Sequence, residues 1–594
     1  MKSLQSLDTE RAETCGIAGH RCVRLTLSRA RALDLSLMVG VFVVALIPRW
    51  ILLHQLDIIT DESVYVPVGW LDVSLLAHGQ IFSSSWLVNF EAPPLPKLFM
   101  GLAEGLAGYT QPSLATVQAA RVPGAIVSSL TLALLYPLGK PIFGRWAALL
   151  GALCLALSPW YSYFGSIAYL DIYAASFVNL AFLTLWYARR RPRLYYLVGV
   201  LLGLGFASKY TAALAVPGML AFLFYRYRVG EKTKLPWRML GLTALVGLGA
   251  LYLADPAIWV NPVVRLAESV GFQFGHAEQG HRTFFAGSYG GHVPPGAVFL
   301  ILLVKISLFV VIPALLLLPW AIFRLIRYWR TPQAEDMPVV FGLCWLGGLL
   351  VPFSFLSIVV GTHYMLPLAA PICLMGAYAL LRALPWAASR LVSVGSAGAP
   401  GAADKAAMGG TRQAIVSAMF QGLRSALAER GQETGYRGRL QMTMQVLILV
   451  IAAVALVVPH TVGLIRAPGA EGYTSELFAS ENGVLQVAYP DYADAVVWLH
   501  QHAHQDGKVG LVSLPGALDY WIPARQDLQT RAFPLYPVLP SAVAGYAYLV
   551  WPMHLIQRGY PPPSAWQGKT VHAIMGGATI YCFILAWNPA NVTP

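Results

Sequence analysis

Long apolar runs recur along this chain and are separated by short polar or charged segments. A helix needs about 20 apolar residues to cross a bilayer core, and backbone groups in lipid must find hydrogen-bond partners within their own segment. The runs therefore predict transmembrane helices in an all-α polytopic membrane bundle. We predict eleven spans, at roughly residues 35–54, 120–139, 145–160, 170–187, 194–209, 210–225, 237–254, 296–318, 338–360, 362–384 and 443–463.

Composition supports a membrane protein. The 594 residues are 57% hydrophobic and only 12% charged, whereas soluble domains carry about 25% charged residues. Most of the surface is therefore expected to face lipid. The six cysteines show neither the spacing of a disulfide framework nor that of a zinc site.

The basic residues predict the orientation of the chain. With the N-terminus inside, 28 of the 41 Lys and Arg residues fall in cytoplasmic segments, most densely at 189–193. The formal net charge of +13 does not indicate nucleic-acid binding, because the basic residues form no single face. The first apolar run follows a basic stretch and lacks a clear small-residue cleavage site, so we predict an uncleaved anchor.

The region after the last span has a different character, with frequent Pro, Tyr, His and Asp. Residues 492–502 have helical spacing, and four short segments bounded by Gly or Pro are typical of strands, at 508–513, 546–551, 570–575 and 578–585. We expect a small C-terminal extracytoplasmic α/β domain. The predicted division is a cytoplasmic tail (1–34), a catalytic core (35–385) with a first outer loop (55–119), a cytoplasmic linker (386–442), a last transmembrane helix (443–465) and the outer domain (466–594).

The first outer loop carries the candidate chemistry. Asp61 and Glu62 are adjacent, and Glu91 and Lys97 flank a double proline that predicts a rigid turn. Adjacent carboxylates at headgroup level are costly without partners or a function. Asp61 could act as a general base, and with Glu62 or Glu91 it could hold a divalent cation. The alternative is that these acids only cap helix ends.

Further polar residues are predicted at outer helix ends. Arg121 and Lys209 could bind a phosphate, although Lys209 could also extend its ammonium to the interface. Asp171 is typical of a helix N-cap, and His363 followed by Tyr364 opens a span, where a lone histidine is usually structural. Their shared position on one membrane face favours a common site.

The ordered set of motifs resembles the GT-C superfamily of glycosyltransferases over roughly residues 35–385. The pattern is similar to the dolichyl-phosphate-mannose protein mannosyltransferases and to the bacterial aminoarabinose transferase of lipid A. Ala92 stands where the mannosyltransferases commonly have histidine, which leaves the subfamily open. The motifs that carry the resemblance are Asp61-Glu62, 90–97, Arg121, Leu170-Asp171, 208–210, 255–262, Lys305 and 363–367.

The resemblance implies a polyprenyl- or dolichyl-phosphate-linked sugar as donor, with its phosphate near Lys209, Arg121 or Lys97. It further implies direct displacement with inversion, Asp61 as general base, and a protein, glycolipid or polysaccharide as acceptor. No nucleotide is required. A divalent cation near Glu91 is a further expectation, with His276, His281 and His292 as candidate ligands.

Two other classes of function compete with this interpretation. A lipid or solute transporter or flippase should carry charges within its spans and broken helices in matching halves. Here Lys305 is the main ionisable residue inside a predicted span. A membrane anchor that only presents residues 466–594 gives no reason for the charges of the first outer loop.

Overall fold

We describe the protein from a computed structural model. The described residues are 17–59, 61–108, 114–188, 190–228, 237–280, 282–328, 336–356, 361–396, 433–466, 472–487, 491–504, 507–512, 528–533 and 540–592. The predicted tail 1–34 and linker 386–442 lie partly outside them.

The described chain is mostly helical. In chain order its α-helices are α1 (Ile17–Gln55), α2 (Glu62–Ala77), α3 (Leu95–Leu106), α4 (Leu114–Phe143), α5 (Arg145–Ala156), α6 (Pro159–Phe164), α7 (Asp171–Ala188), α8 (Leu194–Phe206), α9 (Val216–Arg228), α10 (Trp237–Ala254), α11 (Pro262–Gln279), α12 (Ala297–Lys305), α13 (Leu308–Arg327), α14 (Met337–Phe353), α15 (Leu366–Ser396), α16 (Glu433–Arg466), α17 (Tyr492–His502) and α18 (Met553–Gln557). Short 3₁₀ helices cover Ser84–Leu87, Tyr210–Ala215, Pro256–Ile258, Thr362–Met365, Glu481–Gly483, Pro540–Val543, Ser564–Trp566 and Pro589–Asn591.

Two sheets accompany the helices. The strands are β1 (Thr283–Phe285), β2 (Ser288–Gly290), β3 (Gly507–Val512), β4 (Leu528–Phe533), β5 (Tyr548–Pro552), β6 (Thr570–Gly576) and β7 (Thr579–Ala586). β1 and β2 form an antiparallel hairpin, and the other five form one sheet in the order β4-β3-β5-β7-β6. β3 runs parallel to both of its neighbours, while β7 is antiparallel to β5 and β6. The sheet thus contains the four predicted strands and one more, β4.

Among the described residues, six helices are long and apolar enough to cross a membrane, which supports an integral membrane protein. They are Arg31–Gln55, Ala115–Phe143, Trp237–Ala254, Leu308–Arg327, Thr362–Leu384 and Thr443–Arg466. Three shorter helices, Arg145–Ala156, Leu194–Phe206 and Met337–Phe353, are also apolar. The total of eleven spans and the orientation of the bundle stay predictions.

Two of the predicted spans are broken. Within 145–160, α5 ends at Ala156, and the Ser158 hydroxyl then accepts the Tyr161 N–H as the N-cap of α6. Within 296–318, α12 ends at Lys305 and Ile306 is extended. Lys305 therefore lies at a helix end rather than inside a span, which corrects the sequence interpretation.

The C-terminal region packs directly on the bundle at this second break. The buried Lys305 ammonium forms an ion pair with Glu481. The Glu476 carboxylate accepts the Ser307 hydroxyl at 2.6 Å and the Leu308 N–H at 2.8 Å. Residues beyond α16 thus supply hydrogen-bond partners that the broken helix cannot supply itself.

In the first outer loop, α2 and α3 form a closely packed pair. Gly69 and Gly101 face each other, and a Cβ atom on either residue would overlap the backbone of the partner helix. Pro94 precedes α3 and Pro96 occupies its first turn, where a missing N–H costs no helical hydrogen bond. This pairing fixes the segments that carry Asp61 and Lys97 relative to each other.

Candidate active site

The residues of the candidate site come from separate segments that meet at helix ends. Asp61 immediately precedes α2, and Asp171 is the first residue of α7. Lys209 is extended, between α8 and the 3₁₀ helix that begins at Tyr210. Tyr364 lies in the 3₁₀ turn before α15. Backbone at helix ends is free of the helical ladder, so these positions can direct polar side chains into one place.

Lys209 and Asp171 form the central ion pair of the site. The Lys209 ammonium donates to both Asp171 carboxylate oxygens, at 2.6 and 2.7 Å. It also lies 3.9 Å from the centroid of the Tyr364 ring, which places it in cation–π contact. The Lys209 side chain is 19% exposed, whereas that of Asp171 is 4% exposed. The lysine is therefore the more exposed member of the pair.

Asp61 lies beside this pair and is half-buried. Its Oδ2 accepts a hydrogen bond from the Tyr169 hydroxyl. Burial raises the pKa of the Asp61 carboxyl above its ordinary value, while the Tyr169 hydrogen bond and the Lys209 charge act in the opposite direction. A partly desolvated carboxylate with a raised pKa is a better proton acceptor than an ordinary aspartate.

Aromatic rings enclose these charges. His363 packs against Tyr169 and Tyr364, with ring centroids 4.8 and 4.6 Å apart, and against Phe164 at 5.6 Å. His363 is 5% exposed, and its Nδ1 has no hydrogen-bond partner among the described residues. Tyr169 was not among the site residues predicted from the sequence. In the sequence, only its position two residues before Asp171 pointed to a role in the site.

Arg121 is held inside the protein by a complete set of acceptors. Its Nε and Nη2 donate to Glu62 at 2.7 and 2.6 Å. Its remaining N–H groups donate to the carbonyl oxygens of Leu53, Leu56 and Asp57, at 3.0, 2.8 and 2.7 Å. These contacts use all five N–H bonds of a guanidinium. A phosphate at Arg121 would have to displace one of them.

The Glu62 carboxylate likewise accepts hydrogen bonds from several protein groups. Besides Arg121, its carboxylate accepts the Ala168 N–H at 2.7 Å and the Ile59 N–H at 3.2 Å. Both side chains of the Arg121–Glu62 pair are fully buried. In this arrangement Glu62 joins the loop before Asp61 to the segment before Asp171. Its predicted catalytic role stays untested, and the contacts favour a positioning role.

Lys97 stabilises its own loop. Its ammonium donates to the Asn89 carbonyl at 3.1 Å, to the Asn89 side chain at 3.2 Å and to the Ala92 carbonyl at 2.8 Å. Asn89 in turn donates to Glu91 at 2.5 Å. Lys97 is 2% exposed, and burial lowers its pKa against the opposing charges of Asp72, Glu91 and Asp255. These contacts leave the ammonium no further proton to donate to a phosphate.

Acidic groups around Lys97 form a second charged cluster. Burial raises the pKa of Asp72 to about 7 and that of Asp255 to about 7, and the Lys97 charge opposes both shifts. Tyr210 connects this cluster to the first one, because its hydroxyl contacts that of Ser269 at 2.6 Å while Ser269 donates to the Phe90 carbonyl at 2.8 Å. Lys209 thus belongs to the first cluster, and the adjacent Tyr210 reaches the loop of the second cluster through Ser269.

Within the described residues, no group of three or more His, Cys, Asp or Glu side chains could hold a metal ion. Of the three candidate histidine ligands, His292 is exposed. The side chain of His276 and all of His281 lie outside the described part of the chain. A divalent cation near Glu91 stays a prediction.

Comparison with known proteins supports the resemblance noted in the sequence. Residues 92–252 match the family model described as dolichyl-phosphate-mannose-protein mannosyltransferase. The chain is similar to a family of glycosyltransferases. The matched mannosyltransferase segment contains Lys97, Arg121, Asp171 and Lys209 but neither Asp61 nor the His363 turn. No curated protein matches the chain by sequence.

Several solved structures also resemble this mannosyltransferase-like chain. The crystal structure of ArnT from Cupriavidus metallidurans in the apo state is 16% identical, with a TM-score of 0.47, and the likeness covers 95% of this chain and 100% of that chain. ArnT bound to undecaprenyl phosphate is 18% identical, with a TM-score of 0.43 and coverages of 94% and 99%. AglB from Archaeoglobus fulgidus, in complex with an inhibitory peptide and a dolichol-phosphate, is 13% identical, with a TM-score of 0.44 and coverages of 89% and 70%.

Proposed function

We propose that this protein is an integral membrane glycosyltransferase that transfers a sugar from a polyprenyl- or dolichyl-phosphate-linked donor to an acceptor hydroxyl. The observation that carries the proposal is the convergence of Asp61, Asp171 and Lys209. These residues come from three segments and form one electrostatically coupled group. The family whose model matches residues 92–252 uses a donor of this class, as its description states.

Lys209 is the residue that we assign to the donor phosphate. Its side chain is the more exposed member of the central pair, and Asp171 and the Tyr364 ring hold the ammonium in place. Arg121 and Lys97 already donate to protein acceptors with every proton. A single well-placed cation can stabilise the negative charge that the lipid phosphate gains as the sugar departs.

Asp61 is the residue that we assign as general base. The acceptor oxygen attacks the anomeric carbon while the bond between that carbon and the phosphate oxygen breaks. The bonding electron pair leaves with the lipid phosphate, and the acceptor proton passes to the Asp61 carboxylate. Attack from the side opposite the phosphate inverts the anomeric centre. Tyr169 aims the carboxylate through its hydrogen bond to Oδ2.

The proposed site faces the extracytoplasmic side. Most Lys and Arg residues fall in the loops on the opposite side of the predicted topology. A donor attached to a lipid brings its sugar to this interface without a nucleotide. The acceptor is a protein, a glycolipid or a polysaccharide, and membrane lipid surrounds the bundle. His363 would line the donor side of the site beside Tyr364.

Replacement of Asp61 tests the proposal. We expect Asp61→Asn to lower the rate of sugar transfer by about 100- to 10,000-fold, because an amide cannot accept the proton. The assay uses the purified protein in liposomes with a panel of short-chain polyprenyl-phosphate hexoses and pentoses. It measures the release of polyprenyl phosphate in the presence of membrane acceptors.

Glu278→Gln is the matched control, since it also removes one negative charge but from an exposed position in α11. It should retain the wild-type rate. A normal rate for purified, folded Asp61→Asn would remove the base assignment. A wild-type protein that released no polyprenyl phosphate from any donor of the panel would overturn the proposed class.

A further inference from the structure

Asp57 connects the first outer loop to the C-terminal region. Its Oδ2 accepts the backbone N–H groups of Tyr492 and Ala493, at 2.6 and 3.1 Å, from the first turn of α17. Its Oδ1 accepts the Ile58 N–H at 2.6 Å. Residues 435 positions apart in the chain are thus joined by a helix cap supplied from another element.

The Asp57 contact adds to the N-cap that α17 already has within its own segment. Asp491 already precedes α17 and accepts the Asp494 N–H at 3.2 Å through its side chain. The amides of Tyr492 and Ala493 remain, and Asp57 takes both. The partial positive charge of a helix N-terminus favours this carboxylate. The start of α17, in the C-terminal region, therefore receives part of its cap from a residue of the first outer loop.

The same loop leads directly to the proposed base. The Asp57 carbonyl accepts an Arg121 N–H at 2.7 Å, and Arg121 holds Glu62 at 2.6 Å. Glu62 binds the Ile59 N–H. Asp61 lies between these fixed points. Asp57 on one side is therefore tied to α17, and Glu62 on the other side is tied to the buried ion pair.

We propose that Asp57 is a positioning residue through which the C-terminal region holds the Asp61 loop in its reactive geometry. The inference rests on the proposed function, because its effect on rate acts through Asp61. Displacement of a reacting group by about 1 Å can cost about 100-fold in rate. The C-terminal region is then a working part of the enzyme rather than an attached accessory.

The test breaks the contact from each side. Asp57→Ala removes both acceptor oxygens, whereas Asp57→Asn keeps one oxygen for the two N–H groups of α17 and gives up the contact with the Ile58 N–H. Ala493→Pro removes one donor from α17 without touching the loop, and proline is tolerated in a first helical turn. Ala493→Ser is its matched control because it keeps the N–H.

Two readouts are measured on the full-length protein in liposomes. We expect Asp57→Ala and Ala493→Pro to lower kcat by about 10- to 100-fold with donor affinity unchanged within twofold. Asp57→Asn should lower kcat less than Asp57→Ala does, and Ala493→Ser should stay near wild type. Hydrogen exchange should show that Ala493→Pro loosens the amides of residues 58–65 as well as those of α17. A purely local role in α17 would leave the amides of residues 58–65 protected.

The outcomes separate this inference from the proposed function. If Ala493→Pro loosens α17 while residues 58–65 and kcat stay unchanged, the coupling is overturned even though the enzyme is active. If kcat and donor affinity fall together, the contact supports the whole fold, and the proposal that Asp57 acts by positioning Asp61 is wrong. If the wild type transfers no sugar, hydrogen exchange still decides whether α17 and the loop are coupled. Should Asp57→Ala fail to fold, Ala493→Pro decides the question alone.

Discussion

Two buried ion pairs lie a short distance apart in this protein, and they differ in how completely their cations are satisfied. Arg121 uses each of its N–H bonds on Glu62 and three backbone carbonyls, and neither side chain of the pair is exposed. Lys209 donates to one carboxylate, rests on the Tyr364 ring and remains 19% exposed. We call the fully buried Arg121–Glu62 pair the closed pair and the partly exposed Lys209–Asp171 pair the open pair.

The difference follows from the chemistry of the two cations. A guanidinium is a planar fork with five donors, so it can join a carboxylate and several carbonyls at once. An ammonium is a compact charge that keeps a free direction when one carboxylate and one ring hold it. A fully buried, satisfied pair supports a unique fold, whereas a partly exposed pair can accept a further anion. We therefore assign structure to Arg121 and donor binding to Lys209.

The largest effect is expected from breaking the closed pair. Arg121→Ala leaves Glu62 buried without its main partner, and the loss of one member of a buried pair costs about 3–5 kcal/mol of folding free energy. We expect the variant to give little monodisperse protein after detergent extraction and a clearly lower thermal midpoint. Size-exclusion chromatography and thermal unfolding measure both quantities.

Arg265→Ala is the matched control, because Arg265 pairs with Glu268 at 2.9 Å on the surface, where both side chains are at least 36% exposed. An exposed pair contributes about 0–1 kcal/mol, so this variant should unfold like the wild type. A stable Arg121→Ala protein with weakened donor binding would reverse the comparison and return Arg121 to the phosphate.

The sequence predicted that charged residues lie at helix ends, but it did not predict how they pair. Charged residues are rarely tolerated in lipid, so Asp61, Asp171 and Lys209 were expected at helix ends, and the order of motifs placed them on one face. The individual contacts between these residues could not be predicted from the sequence. The partners of Arg121 lie 59 to 68 residues away, and pairing across such distances depends on how helices pack.

The same limit applies to the broken span and the C-terminal region. Apolar periodicity favoured one continuous helix through Lys305, because its partner, Glu481, belongs to a distant segment. The contact between Asp57 and α17 spans an even longer stretch of chain and left no local pattern. β4 was not predicted, although the four strands with clear Gly or Pro boundaries were.

An intermediate effect is expected from removing the open cation. Lys209→Ala should weaken donor binding by about 10- to 100-fold, since a hydrogen bond to a charged group contributes about 1.5–3 kcal/mol. Equilibrium binding of a fluorescent polyprenyl-phosphate sugar to the liposome-embedded protein measures the change. The double variant Lys209→Ala with Asp171→Asn removes the unpaired buried carboxylate and should fold while binding the donor as weakly.

The control for this comparison is Lys569→Ala. Lys569 also lies over an aromatic ring, with its ammonium 3.3 Å from the Trp587 ring centroid, but it belongs to the C-terminal region. Its replacement should leave donor affinity unchanged. Equal donor affinity in Lys209→Ala and wild type would show that Lys209 does not bind the donor phosphate.

The smallest effect is expected from Tyr169→Phe, and it concerns the pKa of Asp61, which lies beside the open pair. The Tyr169 hydrogen bond stabilises the charged Asp61 carboxylate and so lowers its pKa against the effect of burial. Without the hydroxyl the pKa of Asp61 rises further, and more of the base is protonated at any given acidic pH. The acidic limb of the kcat profile should therefore move to higher pH, with the plateau at higher pH nearly retained.

Tyr173→Phe provides the matched control for that shift. Tyr173 lies four residues later, in α7, stacks on Phe99 with ring centroids 5.9 Å apart, and is not among the groups that shift the pKa of Asp61. Its pH profile should match the wild type, because removal of its hydroxyl does not change the charge balance at Asp61. An unshifted acidic limb in Tyr169→Phe would mean that another group titrates in the reaction. A limb that moved to lower pH would contradict the expected rise in the pKa of Asp61, since loss of a donor to a carboxylate can only favour its protonated form.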